Sequence, residues 1–507
     1  MSKGKRINKF RKFHKWPGII ITLLVILFCI SGVIMNHREL FSRVDVNREL
    51  LPPGYQYNNW NLASVKSAVA YDNHLLVYGN IGVWQTDSLY STFKDFNAGF
   101  PKGVDHRKVE CLLKTSDEHL IAGTIMGLYS LGKDNDEWKP VDIPVEEERI
   151  TDLMEHDGKI YVQTRSHLLK TENLQDFTIV DIPIPAGYTN EVSLFRTLWM
   201  LHSGEIWGTA GKILVDLLAI LLIFLSISGI LHWIFPGWLR RRKKRSKDIN
   251  NLKGWRSWNL RWHNKIGYWS VAFLIFVTIT GMFLRPPLLI AIASSTVGKI
   301  PYTELDSPNP WSDKLRRITY DHSTQRFLLY TYDGFYTMDE DCSELKVVDN
   351  QPPVSVMGCT VLEEVKSGGY LVGSFNGLFY WRPQDGIIIN AFTGKPWVRP
   401  TRLGPPISDH LVSGFISYGD EGGIVFDYSQ GAQKVGNGHM IPAVMPKEIV
   451  NNSPMSLWNV SLEVHTGRIF EHLLGKLYIL YVPLMGLLIL TVLISGFFIW
   501  WLGYRKS

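Results

Sequence analysis

The chain has 507 residues, a formal net charge of +6 and a hydrophobic fraction of 46%. A mean hydropathy near zero would fit a soluble protein of roughly three domains of ~150 residues each. A wholly soluble chain is nevertheless excluded, because four stretches of ~17–26 residues are almost unbroken in apolar character and match a hydrocarbon core of ~30 Å. These stretches are residues 19–35, 213–235, 266–284 and 477–502.

The predicted fold is therefore an α-helical membrane bundle of four transmembrane helices with two large segments between them. In chain order, the predicted segments are a basic N-terminus (1–18), TM1 (19–37), a β-rich segment (38–198), TM2 (199–236), a basic loop (237–262), TM3 (263–289), a second β-rich segment (290–464), TM4 (465–503) and a tail (504–507). TM1 has no small-residue cleavage site and runs directly into Asn36 and His37, so we interpret it as an uncleaved anchor and not as a signal peptide.

Lysine and arginine residues collect at three places that share one side of the predicted membrane. Seven precede TM1, six follow TM2 from Arg240 to Arg245, and Arg505 and Lys506 end the chain. The positive-inside rule predicts that both termini are cytoplasmic and that both β-rich segments are extracytoplasmic. The expected location is the bacterial inner membrane, with membrane lipid around the helices and the large segments in the periplasm. The basic run after TM2 lies directly against a membrane end, which favours a topology signal over a nucleic-acid site.

The two β-rich segments contain a repeat of an apolar strand, a tight turn at glycine and a second apolar strand. The clearest copies are residues 74–84, 119–129, 327–336 and 370–380, with weaker copies at 159–169 and 423–428. Turn glycines Gly82 and Gly127 are 45 residues apart, and Gly334 and Gly377 are 43 apart. Such periods suit propeller blades of four strands.

About three blades in each segment would leave unpaired edges. The prediction is therefore an all-β extracytoplasmic domain formed by both segments together, as one composite β-propeller of about six blades. Two separate β-sandwich-like domains are the alternative. The three exterior cysteines would allow a Cys342–Cys359 disulfide in an oxidising compartment, with Cys111 left over. No CxxC or cysteine-rich cluster indicates a metal site.

Two histidines at the start of TM1 and TM3 share a sequence frame. His14 and His263 each begin an HxxxG sequence, and each is followed 18 residues later by the glycine of a [Ser/Thr]-Gly pair, Gly32 and Gly281 respectively. An ionisable or metal-binding side chain at a membrane end is a functional candidate by default.

TM2 and TM4 share a second frame. His202 and His465 each begin a His-x-Gly sequence, and the helices that follow contain Ser-Gly pairs ending at Gly229 and Gly496. The chain thus consists of two copies of a unit made of a helix, an exterior segment and a second helix. In the predicted topology, the glycines of one pair of helices lie at the depth of the histidines of the other pair.

A b-type haem needs this arrangement, with two axial imidazoles from facing helices and glycines that admit the flat macrocycle. Because 18 helical residues span ~27 Å, two sites near opposite membrane faces would form a transmembrane electron path. The alternatives are a structural role for each histidine and a packing role for each glycine. The predicted iron ligands are His14, His202, His263 and His465, with Gly32, Gly229, Gly281 and Gly496 around the macrocycles and His232, His472 and His37 as second candidates whose structural role is favoured.

These helices resemble those of the PepSY-associated transmembrane family, which includes inner-membrane ferric-siderophore reductases. The resemblance covers the four spans and rests on the HxxxG, [Ser/Thr]-Gly and His-x-Gly sequences. It implies a core with two b haems, held by His14, His202, His263 and His465, that reduces siderophore-bound iron. The chain departs from the family in two ways: no small α/β PepSY module is recognisable in the exterior segments, and the loop at 237–262 is too short for a flavin or nicotinamide domain.

The favoured function is a haem-dependent oxidoreductase that passes electrons from quinol or a separate cytoplasmic reductase to an extracytoplasmic ferric chelate. Outer-sphere electron transfer needs no catalytic acid, base or nucleophile, and the sequence predicts no catalytic residue beyond the cofactor ligands. The alternative is a non-enzymatic, membrane-anchored propeller that binds a ligand or assists assembly, although a short basic loop offers no output domain. A transporter would require more spans and polar residues at the bilayer midplane.

Overall fold

The computed structural model describes residues 3–146, 149–365, 368–398, 408–419, 422–436 and 439–503. The predicted tail at 504–507 lies outside the described residues. The chain divides into two compact units. We name them the helical unit (Met1–Phe41, Thr189–Ser307 and Leu457–Ser507) and the strand unit (Ser42–Tyr188 and Pro308–Ser456).

Four helices of the helical unit are long and apolar enough to cross a membrane. They are α1, α4, α5 and α10 in the full series of described α-helices. That series is α1 (Lys3–Asn36), α2 (Arg38–Phe41), α3 (Leu194–Ser203), α4 (Gly208–Lys244), α5 (Asn250–Phe283), α6 (Leu288–Ile292), α7 (Lys447–Asn451), α8 (Leu457–His465), α9 (Glu471–Leu474) and α10 (Tyr481–Gly503).

The helices on the side of His202 and His465 are interrupted where the sequence analysis expected continuous spans. Gly204 ends α3 in the left-handed conformation at φ +80°, and a Cβ there would lie 2.2 Å from the carbonyl oxygen of Gly211. Gly467 has the same conformation at φ +77° after α8. Because glycine adopts this conformation without strain, it ends each helix there. His202 and His465 therefore lie on short helices that precede the long apolar ones.

The four long helices pack as a closed bundle. Helix α1 contacts α4 and α10, and α5 contacts the same two helices. Their interior contains two apolar clusters, one around Val25 and Met485 and the other around Leu225, Leu274 and Leu493. A short two-stranded sheet, Glu191–Ser193 with Thr296–Gly298, also belongs to this unit.

Among the residues that the structure describes, the strand unit contains six antiparallel sheets of three or four strands, each with its strands in sequence order. Sheet 1 consists of Ser67–Tyr71, His74–Gly79, Gly82–Thr86 and Phe93–Asp95. Sheet 2 consists of Val109–Lys114, Leu120–Thr124, Gly127–Leu131 and Lys139–Val141. Sheet 3 consists of Ile150–His156, Lys159–Thr164, Leu168–Thr171 and Thr178–Val180. Sheet 4 consists of Leu315–Asp321, Arg326–Thr331, Gly334–Asp339 and Leu345–Val347. Sheet 5 consists of Val361–Glu364, Tyr370–Ser374, Gly377–Arg382 and Ile387–Asn390. Sheet 6 consists of Val412–Ser417, Gly422–Asp427 and Gly431–Gly436.

The strand-turn-strand repeat predicted from the sequence is confirmed. Gly82, Gly127, Gly334 and Gly377 each begin the third strand of a sheet and pair back onto the second. All four have positive φ, between +87° and +142°, which a residue with a Cβ adopts only with strain. This conformational need explains why glycine recurs at that position.

The first strand of each sheet contacts the first strand of the next sheet, from sheet 1 to sheet 6. The first strand of sheet 6 also contacts the first strand of sheet 1. Six separate apolar clusters fill the spaces between neighbouring sheets. One of them joins Val77 and Trp84 of sheet 1 to Ile424 and Phe426 of sheet 6. The two exterior segments of the sequence therefore share one packed unit instead of forming independent domains.

The two ends of the strand unit are tied together by hydrogen bonds. Asp45–Val46 pairs with Met455–Ser456. Asn59 also accepts a bond from the backbone N–H of Ala432 at the edge of sheet 6, with an N···O distance of 2.8 Å. All four cysteines are free, so the structure contains no bond between Cys342 and Cys359.

Glu363 in the first strand of sheet 5 makes the stability of the strand unit depend on pH. Burial raises the pKa of its carboxyl from 4.5 to about 7, although Arg317 and a 3.3 Å hydrogen bond from Ser67 oppose the shift. A carboxyl with a raised pKa in the folded state stabilises fully below pH 4.5, and this stability is lost as the pH rises through about 7. Between pH 4.5 and pH 8, the free energy of unfolding of the wild type should fall by about 3 kcal/mol because of this group. We expect this fall to be absent in Glu363→Gln.

Urea unfolding of the purified chain at pH 5 and pH 8 measures this effect, with hydrogen exchange in sheet 5 as the local probe. Glu364→Gln is the matched control, because its exposed side chain is the immediate neighbour. Equal pH dependence in the wild type and in Glu363→Gln would contradict the prediction.

Candidate functional site

His14 and His263 lie together inside the helical unit, although 249 positions separate them in the sequence. Their ring centres are 6.1 Å apart and the ring planes are inclined by 80°. The Nδ1 atom of His14 lies 2.9 Å from the carbonyl oxygen of Val492 on α10. The Nδ1 atom of His263 lies 2.7 Å from the hydroxyl of Ser228 on α4. Each imidazole is therefore oriented by a neighbouring long helix.

His202 and His465 form a second pair with the same spacing. Their ring centres are also 6.1 Å apart, with the planes inclined by 58°. The Nδ1 atom of His202 lies 2.9 Å from the carbonyl oxygen of Val277 on α5. The Nδ1 atom of His465 lies 3.0 Å from the hydroxyl of Ser31 on α1. The structure thus brings together the same two pairs of histidines that the sequence frames predicted.

Each of the four imidazoles also lies against the glycine that the sequence analysis placed at its depth. An ideal Cβ would lie 2.8 Å from His14 Cε1 at Gly496 and 2.5 Å from His202 Cε1 at Gly281. The corresponding distances are longer for the other two contacts, 3.6 Å between Gly229 and His263 and 3.4 Å between Gly32 and His465. In each pair, the tightly packed histidine is the one whose Nδ1 atom has no serine hydroxyl beside it. His465 contacts both the Ser31 hydroxyl and the carbonyl oxygen of Phe28, the latter at 3.1 Å.

The two halves of the chain complete each other's sites. His14 and His202 from the first half pack against glycines of the second half, and His263 and His465 pack against glycines of the first. Each site therefore needs both copies of the repeat. The [Ser/Thr]-Gly pairs explain why both copies are needed. In each pair, the glycine leaves space for an imidazole from the other half of the chain. The hydroxyl beside that glycine, or the backbone carbonyl one helical turn before it, contacts the Nδ1 atom of the same imidazole.

The sites fit two axial ligands of one iron. All four Nδ1 atoms are engaged by the helices, and none of the four Nε2 atoms has a hydrogen-bond partner among the described residues. A metal-bound histidine commonly uses its second ring nitrogen in this way. Two metal–imidazole bonds of about 2 Å, plus the distance from each nitrogen to its ring centre, would separate two ring centres by roughly 6 Å. Both observed separations match this value.

A cavity of about 570 Å³ adjoins the first pair. His14 and His263 line it together with four glycines, Gly18, Gly229, Gly267 and Gly496. Its remaining wall is largely apolar and includes Tyr268 and Trp500, which stack at 3.8 Å. A volume of this size with apolar walls and few polar groups is typical of cofactor pockets.

The second candidates for iron ligation have other environments. His472 on α9 is exposed, and its Nδ1 atom lies 2.8 Å from the carbonyl oxygen of Ile469. His37 Nε2 lies 2.5 Å from Oδ2 of Asp216, which lies on α4. His232 lines the cavity beside the first pair. Among the described residues, no group of three or more His, Cys, Asp or Glu side chains could hold a metal ion.

The sequence analysis did not select Ser31 and Ser228 as site residues. Their hydroxyl groups hold His465 and His263. The signal was present in the Ser-Gly dipeptides themselves. A hydroxyl next to a glycine that leaves space for an imidazole is well placed to accept a hydrogen bond from the Nδ1–H group of that imidazole.

Comparison of the sequence with models of known protein families identifies the family of this chain. The model of the PepSY-associated TM region matches residues 1–236 and again residues 235–502. The chain belongs to this PepSY-associated transmembrane family. The two matches meet near residue 235, in agreement with the two copies of the helix–exterior segment–helix unit. The family assignment and the four apolar helices show that this is a membrane protein.

Other comparisons give weaker likenesses. A search of curated proteins found no match. Among solved structures, the extracellular domain of BT4673 from B. thetaiotaomicron, described as a hybrid two-component system, is 10% identical with a TM-score of 0.37 and covers 73% of this chain, whereas this chain covers 32% of it. PorZ of the type-IX secretion system of Porphyromonas gingivalis is 10% identical with a TM-score of 0.32, with coverage of 76% of this chain and 39% of PorZ. The computationally designed Ika8 protein is 8% identical with a TM-score of 0.31, and the match covers 75% of this chain and 100% of Ika8.

Proposed function

We propose that this protein is an inner-membrane reductase with two b haems that passes electrons across the membrane to an extracytoplasmic acceptor. A ferric siderophore or another ferric chelate is the proposed acceptor. The observation that carries the proposal is the pair of matched histidine sites, each with ring centres 6.1 Å apart and each packed against glycine. A structural role for single histidines would not require two such pairs with the same spacing.

The residues of each site would bind and orient the cofactor. The Nδ1 contacts with Val492, Ser228, Val277 and Ser31 fix the imidazoles, so that Nε2 of each ring is available for iron. The glycines leave room for the macrocycle edges, and the apolar helices exclude water. When bound, haem supplies reversible one-electron transfer.

The separation of the sites supports a transmembrane path. Helix α1 is continuous from Lys3 to Asn36 and contributes His14 to one site and Gly32 to the other. Eighteen helical residues correspond to ~27 Å, close to the thickness of the hydrocarbon core. With the basic segments on the cytoplasmic side, the site at His14 and His263 would receive electrons and the site at His202 and His465 would deliver them outward.

The donor would be quinol or a separate cytoplasmic reductase. Helix α4 ends at Lys244 and α5 begins at Asn250, so the predicted cytoplasmic connection has no space for a flavin domain. Quinol reaches a membrane site through the lipid, whereas a soluble reductase would dock at the basic ends of the helices.

The strand unit is proposed to be the composite β-propeller of about six blades predicted from the sequence. The support is the cyclic packing of six sheets from both exterior segments, with the six apolar clusters between them. Such a unit would bind or shield the acceptor on the exterior side. Reduction of the acceptor to Fe(II) weakens a chelate of hard oxygen ligands, which releases the iron.

The visible spectrum of the detergent-purified protein tests the proposal directly. We expect a Soret band, a sharp α-band after reduction with dithionite, and two haems per chain in a pyridine haemochrome assay. His263→Ala and His465→Ala should each remove one haem, because each removes an axial ligand of a different site. His472→Ala is the matched control on an exposed helix and should keep both haems. A protein that stays colourless after expression with added haem would favour the alternative, a membrane-anchored binding or assembly protein without redox activity.

A further inference from the structure

We infer that four nitrogen-bearing side chains that line the His14–His263 cavity, three of them cationic, bind the two carboxylates of the haem. These side chains are Arg11, Lys15, His232 and Arg240, which we name the anion-binding rim. The inference rests on the proposed function and assigns the orientation of the cofactor in that site.

The first step is the charge of the cavity. Arg11, Lys15 and Arg240 all line it, and none of the described residues that line it is Asp or Glu. None of these three cations makes an ion pair with a described carboxylate, although the Lys15 ammonium lies 4.9 Å from the centre of the Trp16 ring. Three positive charges without counter-charges beside an apolar cavity favour an anionic ligand.

The second step is the position of these charges relative to the imidazoles. Arg11 lies one helical turn before His14 on α1, and Lys15 is the next residue after it. Arg240 lies on α4 beyond Gly229, and its Nε donates to the carbonyl oxygen of Pro236 at 3.4 Å. The Arg240 side chain therefore folds back along α4 toward Pro236, which also lines the cavity. Two helices thus supply cations to the lining of one pocket, as two carboxylates on one edge of a macrocycle would require.

The third step is an unsatisfied donor. The Nδ1 atom of His232 is buried and has no hydrogen-bond partner among the described residues, and His232 also lines the cavity. A buried polar atom without a partner is costly. A carboxylate oxygen at this position would accept its hydrogen bond. His232, a second candidate for iron ligation in the sequence, thus becomes a positioning residue for the cofactor.

Membrane topology alone does not account for the rim. Lys12 and Arg241 are neighbours of Arg11 and Arg240 and would serve the positive-inside rule equally well. All four side chains are exposed, but Lys12 and Arg241 do not line the cavity. The chain therefore offers a matched pair of double variants, R11Q/R240Q and K12Q/R241Q, that remove the same number of charges from the same two helices.

The experiment titrates full-length, haem-depleted protein in detergent with ferric protoporphyrin IX and, separately, with its dimethyl ester. The ester keeps the iron and the macrocycle but lacks both negative charges. Soret absorbance reports the binding of each probe. We expect R11Q/R240Q to bind the free acid at one of its two sites at least 10-fold more weakly than wild type and K12Q/R241Q, with unchanged binding of the ester. H232F should weaken binding of the free acid in the same selective manner.

Three outcomes would overturn the inference. Equal binding of both probes by all the variants would show that the rim does not recognise carboxylates. An equal loss of both probes in R11Q/R240Q would indicate a general defect in the site. Unchanged haem binding with a loss of co-purified phosphatidylglycerol would assign the cations to lipid phosphate. The proposed function fails separately if the wild type binds neither the free acid nor the ester.

Discussion

In the proposed di-haem protein, alanine at Gly281 is expected to remove haem from the His202–His465 site and to leave the other site occupied. The new Cβ would lie 2.5 Å from Cε1 and 2.9 Å from Nδ1 of His202, both shorter than van der Waals contact. The imidazole would have to move away, and its contact with the carbonyl oxygen of Val277 would break. Loss of such an orienting contact typically weakens metal binding 10–100-fold. The haemochrome assay on purified protein should therefore fall from two haems per chain to one.

The same substitution at the other glycines provides internal controls. Gly496→Ala should empty the His14–His263 site, because its Cβ would lie 2.8 Å from His14 Cε1. Gly254→Ala on α5 should keep both haems, because nothing lies within 4 Å of a Cβ at that position and Gly254 does not line the cavity. Haem retention in Gly281→Ala and Gly496→Ala equal to that in Gly254→Ala would show that these glycines serve helix packing alone.

This graded tolerance was not accessible from the sequence. The frame of a histidine and a glycine 18 residues apart predicted which residues would share a depth, because the rise of an α-helix is fixed. The sequence treats all four [Ser/Thr]-Gly pairs as equivalent. The structure distinguishes them by whether a serine hydroxyl contacts the ring, as it does for His263 and His465. That difference depends on how two helices from different halves of the chain pack.

Local signals were reliable where a single residue type satisfied a local need. The glycine that begins the third strand of four sheets was found from its spacing, because its positive φ is a property of the turn itself. The helix ends at Gly204 and Gly467 were missed, since the predicted TM2 and TM4 were extended from the apolar stretches back to include the His-x-Gly sequences. The His-x-Gly sequence followed by charged residues, Glu205 and Arg468, was the signal that could have indicated them.

Long-range polar pairs were beyond the reach of the sequence. The sequence analysis named His37 only as a second candidate for iron ligation and did not predict its contact with Asp216. That contact, at 2.5 Å, joins the segment after α1 to α4. In the strand unit, Asp152 and Arg317 are 165 positions apart, and nothing in their local sequences distinguishes them from solvent-exposed charges. Both pairings follow from tertiary packing alone.

Loss of Arg317 is expected to be among the most destabilising changes in the strand unit. The Nε atom of Arg317 in sheet 4 lies 3.1 Å from Asp152 Oδ2 in sheet 3, and Asp152 is 5% exposed. Asp152 also accepts hydrogen bonds from the backbone N–H of Ile318 at 2.9 Å and of Leu153 at 3.1 Å. Arg317→Met would keep most of the side-chain volume but leave a buried carboxylate without its cation, at a cost of about 3–5 kcal/mol.

The double variant Asp152→Asn/Arg317→Met should recover most of this loss, because a neutral amide no longer needs a cation. Lys133→Met is the control for the removal of an exposed ion pair, since the Lys133 side chain is 63% exposed beside Glu118. We expect no measurable change in that variant. Urea unfolding, followed by hydrogen exchange in the first strands of sheets 3 and 4, gives each value.

The pH dependence separates an electrostatic cause from a loss of packing. Burial, opposed in part by Arg317, raises the pKa of the Asp152 carboxyl, and removal of the arginine should raise it further. A raised pKa in the folded state means that stability is retained below the pKa of the unfolded chain and is lost as the pH rises through the folded value. Arg317→Met should therefore be closer to the wild type at pH 5 than at pH 8. A deficit that is the same at both pH values would show instead that the arginine acts through its aliphatic stem, by packing between the two sheets.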